Sequence, residues 1–179
     1  FISFALLSAT MAQSDAWSAR TSAGGIVPAK AVSRLSFPKE FKLYELNMPS
    51  LKQQLFAVAG NAARHSAIIS LPNAEGQMEQ FEIFEASNFE PALQARFPEI
   101  RAFSGKGVTD PTAMLKLSYS PQGIQTMVFR TDRENEFIEP YSQDGSVYAV
   151  FKYHGAKSAL PWRCSTPDQN LAAGLTQQV

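Results

Sequence analysis

The chain has 179 residues, of which 45% are apolar and 11% aromatic; that suffices for one hydrophobic core, since a domain of about 150 residues buries about 70% of the surface its unfolded chain exposes. Sixteen basic and sixteen acidic side chains give a net charge of zero. Their mixing along the chain excludes both the basic footprint that nucleic acid selects and a polybasic membrane patch.

Phe1 to Ala9 (FISFALLSA) is an apolar run too short to span a bilayer, and Thr10-Met11-Ala12 puts small residues before Gln13. This is the pattern of a signal peptide over residues 1–12, partial because its basic beginning and initiator methionine are missing. The expectation is export, to the cell surface or beyond it, with no membrane association after cleavage; a frayed or core helix is the competing reading. Residues 13–36 are rich in Ser, Ala and Gly with almost no periodicity and read as a flexible leader.

From residue 37 the pattern sharpens into a domain expected over 37–155. Phe41, Leu43 and Tyr44 suggest a short strand. Asn47 is placed to cap a helix with Pro49 in its first turn, with Leu51, Leu55 and Val58 or Ala59 on its apolar face and Gly60-Asn61 at its end. Ser66 to Leu71, a turn over Pro72 to Gly76, and Gln77 to Ala86 form a hairpin signal in which Phe81 and Ile83 share a face. Pro91 to Phe97 reads as a second short helix stopped by Pro98. Glu99 to Ser104 resumes as a strand. Ala113, Leu115, Leu117 and Tyr119 alternate with Met114, Lys116, Ser118 and Ser120, and Pro121-Gln122-Gly123 turns the chain into Ile124 to Phe129. After a polar turn at Asp132 to Asn135, Glu136 to Tyr141 reads as a short edge-like strand ended by Pro140, and Asp144-Gly145 leads into Val147 to Tyr153. Short strands and two helices without regular alternation predict an α+β fold with a mainly antiparallel sheet and two short helices, preceded by the signal peptide and leader. Residues 156–179 read as an extended segment and linker.

Candidate chemistry is sparse. Ser104-Gly105-Lys106-Gly107 has the glycines and lysine of a phosphate loop but not its spacing, its Ser or Thr after the lysine, or a helix behind it. It reads instead as a glycine corner that needs positive φ. His65 and His154 are far apart in sequence and lack an obvious third ligand for a metal. No serine sits in a nucleophile elbow. The acid pairs Glu79 with Glu82 and Asp132 with Glu134 fall on expected turns or solvent faces, where charge is solvated. Nothing in the chain forms a catalytic constellation. Cys164, the one cysteine, lies in Leu160-Pro161-Trp162-Arg163-Cys164-Ser165-Thr166-Pro167, where flanking prolines favour an extended, exposed segment and Arg163 favours the thiolate. On these residues alone it is a functional thiol, a packed inert thiol, or one that pairs with a cysteine outside the chain.

The succession Ser70 to Ser87 (SLPNAEGQMEQFEIFEAS), Leu93 to Phe129 and Phe137 to Tyr153 (FIEPYSQDGSVYAVFKY) resembles the propeptide domain of secreted bacterial zinc metalloproteases related to the reprolysin or adamalysin group. The resemblance covers about Phe41 to Asp168, and its most specific parts are Phe-Pro-Glu-Ile, Ser-Gly-Lys-Gly and Pro-Gln-Gly in that order. It implies a prodomain without catalytic residues or cofactor of its own, followed by a catalytic domain with an HExxH helix and zinc. That domain is the implied partner. The resemblance also implies a cysteine switch, in which the Cys164 thiolate takes the zinc's open coordination position. Pro161 and Cys164 match its Pro-x-x-Cys spacing, and Ser165 stands where the family commonly has glycine. A non-catalytic binding or adhesion module of an exported surface protein is the alternative expectation.

Overall fold

Side chains that alternate along nine strands point to one shared interior, and the sheet bends around the helix that fills it. The structure, a computed structural model, describes residues 16–33, 37–60 and 65–152. Its strands are β1 (Trp17–Arg20), β2 (Lys42–Leu46), β3 (Ala67–Pro72), β4 (Met78–Glu85), β5 (Arg101–Gly107), β6 (Met114–Ser120), β7 (Gly123–Phe129), β8 (Glu136–Pro140) and β9 (Val147–Lys152). All pair antiparallel, in the order β1-β2-β9-β8-β7-β6-β5-β4-β3. Strands β3 to β9 therefore form a seven-strand meander, and β2 returns beside β9 with β1 outside it.

Helix α1 (Met48–Phe56) starts where the cap chemistry puts it. The Asn47 side chain accepts a hydrogen bond from the Ser50 backbone N–H at 3.2 Å, and Pro49 lies in the first turn, where its missing N–H costs nothing. Leu51 and Leu55 are fully buried and join one core cluster with inward side chains from all nine strands, among them Trp17, Leu46, Ile69, Phe81, Phe103 and Ile124. A single cluster shared by nine strands and one helix requires a curled sheet, an open half-barrel with α1 on its concave side.

The expected α+β class is therefore corrected. Helix α1 has nine residues, and α2 (Pro91–Arg96) has six and buries none of them. Leu93 and Phe97, spaced to share an apolar face, are both exposed. The sheet supplies nearly all of the architecture, because its alternating strands bury their faces against each other and need only one helix to close them. β8 is not an edge strand but lies between β7 and β9. Pro140 is its last residue, where a missing N–H is harmless.

The described part of the leader is also ordered. Trp17 is buried against the rings of Tyr148 and Tyr44, edge to face with centroids 5.6 and 6.5 Å away, and β1 pairs with β2 from Trp17↔Leu46 to Arg20↔Leu43. Further on, the Ala29 N–H donates to the Tyr141 carbonyl at 2.8 Å and Pro28 bridges to Ser142. Burial of one tryptophan and the added strand outweigh a local composition that disfavours order. Ile26, Val32, Phe37 and Phe41 then cover the outer faces of β2, β9 and β8, packing on Leu43, Ala149, Phe151 and Phe137. The expected signal peptide over residues 1–12 and the extended segment 156–179 lie outside the described residues.

Candidate functional site

Cys164, Pro161, Arg163 and His154 all lie outside the described residues. His65 is described and exposed just ahead of β3. Among the described residues no three His, Cys, Asp or Glu side chains group so as to hold a metal ion, and no helix is long and apolar enough to cross a membrane.

Ser104-Gly105-Lys106-Gly107 is not a corner. It is the end of β5, a strand paired on both sides, and neither glycine has a positive φ. Both are glycine for lack of space. A Cβ at Gly105 would stand 3.1 Å from Ile83 Cγ2 and 3.2 Å from the Glu82 carbonyl oxygen, and one at Gly107 would collide with the carbonyl oxygen of Asp110. Lys106 faces out between Glu82 and Met114. Ser104 accepts a hydrogen bond from Lys116 Nζ at 2.7 Å. This is a cross-strand contact rather than a nucleophile with its base: Lys116 is exposed, and the N–H groups of β5 that would bind an oxyanion are used in its two ladders.

The expectation that Glu79 is solvated is overturned. Glu79 follows the inward parity of Phe81 and Ile83, and it meets Arg130, which follows the inward parity of Ile124, Thr126 and Val128. The Arg130 side chain is 0% exposed. Its Nη2 donates to Glu79 Oε2 at 2.5 Å, its Nη1 to Asp110 Oδ2 at 2.9 Å and its Nε to Glu136 Oε1 at 3.1 Å. Arg133 Nη2 bridges Glu79 and Asp110 at 3.4 and 3.2 Å. The remaining carboxylate oxygens are also engaged, Glu79 Oε1 by Asn73 Nδ2 at 2.9 Å and Glu136 Oε2 by the Ala74 N–H at 3.1 Å. Burial works against the Arg130 charge, but the hydrogen bond to Glu79 and the charges of Glu136 and Glu79 outweigh it and hold its pKa above the usual value. The Thr112 hydroxyl, ahead of the Thr112 N–H and the two arginines, holds the Asp110 carboxyl below the usual carboxylate range. Every group here has a partner. The cluster therefore pins three connections at one end of the sheet, those following β3, β5 and β7, and leaves no free group for chemistry. Sequence parity carried the signal: an arginine and two glutamates stand where the alternation calls for apolar residues.

The outer face of the meander is the other candidate. Cross-strand register places Phe84, Ser104, Lys116, Met127, Phe137 and Phe151 in one row and Glu82, Lys106, Met114 and Phe129 in the next. An open groove of about 320 Å³ runs along this face past Ala102, Ser104, Lys116, Met127 and Glu139. Comparison with known proteins adds no assignment: no family model, no curated protein and no solved structure matches this chain.

Proposed function

We propose that the chain is the N-terminal propeptide of a secreted zinc metalloendopeptidase precursor, which keeps the protease latent, assists its folding, or does both. The observation that carries this reading is where its most specific resemblances fall. Phe97 to Ile100 leads into β5, Ser104 to Gly107 ends it, and Pro121 to Gly123 makes the β6–β7 turn. Each serves the scaffold. Gly123 has φ +113°, and a Cβ there would strike the hydroxyl of the fully buried Tyr148, which accepts the Ile124 N–H at 3.3 Å. Elements with such steric demands tie the resemblance to the scaffold rather than to a chance run of residues, and that supports the propeptide reading.

In this reading the zinc is held by the catalytic domain downstream, and this chain offers it one donor, the Cys164 thiolate. A tethered thiolate has an effective concentration on the order of millimolar, so an intrinsic dissociation constant of about 1 μM closes the site by roughly 4 kcal/mol. Cleavage of the linker removes that advantage, and the folded sheet adds contact area over the cleft. The second reading, a binding or adhesion module of an exported surface protein, is favoured by the same open outer face.

The test is a titration of the catalytic domain encoded downstream with the full chain, unmodified and as Cys164→Ala. Inhibition that weakens at least tenfold without the thiol is the expected result. Equal inhibition by both forms would make the domain a steric cover only, and no inhibition by either would favour a folding aid or the binding module.

A further inference from the structure

Most faces of the half-barrel are already covered. Helix α1 fills the concave side, and Ile26, Val32, Phe37 and Phe41 cover the outer faces of β2, β9 and β8. The outer face of β4 to β7 instead presents large apolar side chains to solvent: Met114 57% exposed, Phe84 47%, Val108 45% and Phe129 40%. Met114 stands directly opposite Phe129, and Val108, whose N–H donates to the Gln80 carbonyl at 2.8 Å, follows Lys106 by one outward position on β5's extension. Charges of both signs, Glu82, Lys106 and Lys116, stand beside them. An apolar centre with a mixed polar rim is the surface of a protein contact.

We propose that this patch, centred on Val108, Met114 and Phe129, docks against the catalytic domain joined to this chain; the proposal rests on the propeptide reading. The course of the chain selects that occupant. Lys152, the last residue of β9, stands opposite Glu136, and Glu136 opposite Val128. β9 thus ends two strand spacings, about 10 Å, from the residue before Phe129. Whatever residues 153–179 lead to is tethered to this domain, at an effective concentration on the order of millimolar. A partner held so close needs only a modest apolar contact. It is a surface of matching apolar character whose own rim is neutral to slightly acidic, since Glu82, Lys106 and Lys116 leave one net positive charge here.

The experiment measures inhibition of the catalytic domain by the full chain carrying Met114→Glu and Phe129→Glu, with Cys164 intact and as Cys164→Ala. Both positions are exposed, and circular dichroism with thermal melts checks that the fold is kept. Val108→Lys repeats the test at a third position, and Val27→Glu, exposed elsewhere, is the control. At least tenfold weaker inhibition in both cysteine backgrounds, with the control unchanged, is the expected result, because the patch acts apart from the thiol. An unchanged inhibition constant in a chain that inhibits when unmodified overturns the proposal and leaves the propeptide reading standing. Dissociation of a self-dimer by these substitutions, without a change in inhibition, assigns the patch to a second copy and overturns it too. No inhibition by the unmodified chain overturns this proposal and, if the catalytic domain also refolds equally well without the chain, the propeptide reading with it.

Discussion

Arg130→Met is expected to lower the unfolding free energy by roughly 3–5 kcal/mol, the usual consequence of removing one partner from a buried ion pair. Methionine approximates the length of the arginine stem, so the loss is chiefly one of charge. It leaves Glu136, 3% exposed, and Glu79, 11% exposed, facing each other without the cation that lies 2.5 to 3.1 Å from both. The dependence on pH separates this cause from a packing defect. In the wild type the Asp110 pKa is depressed on folding, so its contribution is fully present above its unfolded pKa of about 4 and is lost as pH falls through its lower folded value. In the variant Asp110 lacks the Arg130 charge that helps hold its carboxyl down, so part of that contribution is missing. The gap between the two proteins is therefore widest near pH 7 and narrows as the pH falls from about 4 through the folded Asp110 value. Urea melts of both proteins at neutral pH and below the unfolded Asp110 value check this. A gap below about 1 kcal/mol at pH 7, or one that does not change with pH, would make the cluster incidental.

Gly107→Ala is expected to cost roughly 3 kcal/mol, at the upper end of what overpacking does, because its new methyl would meet backbone rather than a side chain that can swing away. The obstacle is the Asp110 carbonyl oxygen, with Ala113 Cβ 3.2 Å away, and the Gly107 N–H is held to the Ala113 carbonyl at 2.9 Å. The connection over residues 108–113 has to move, and it carries Asp110 away from Arg130. Gly105→Ala meets the Ile83 methyl at 3.1 Å and the Glu82 carbonyl at 3.2 Å and is expected to cost about 1 kcal/mol. Thermal melts rank the two. Because Gly107→Ala and Arg130→Met both disturb Asp110, their combined effect is expected to fall short of the sum. Equal effects of the two glycine substitutions would contradict the close-packing account of this segment.

How much of this was legible follows from the kind of signal each element carries. The β6–β7 hairpin is written twice, in the alternation from Ala113 to Tyr119 and in a turn glycine, and the structure pairs Met114 to Ser120 with Phe129 to Gly123. Helix α1 is announced by Asn47 and Pro49, which act locally. β1 was invisible because four residues in a Ser-, Ala- and Gly-rich stretch carry no period, and Trp17 orders them only through Tyr44 and Tyr148, far away in sequence. The glycines of β5 were misread because a glycine answers equally to a positive φ and to a lack of room, and only the neighbouring strands tell which. Glu79 was assigned to solvent by residue type, although its parity, like that of Arg130 and Glu136, put it inside. Parity also separates the two faces of each strand without saying which outer faces other segments cover, so the open patch at Met114 and Phe129 required the structure.

The measurement closest to the central claim is the peptidase activity of the proposed precursor, this chain joined to the catalytic domain proposed to follow it, before and after cleavage between residues 153 and 179. The account predicts a precursor that is silent until it is cut, with silence restored when the freed chain is added back. A precursor as active as the isolated catalytic domain, which also refolds equally well without this chain, would contradict it.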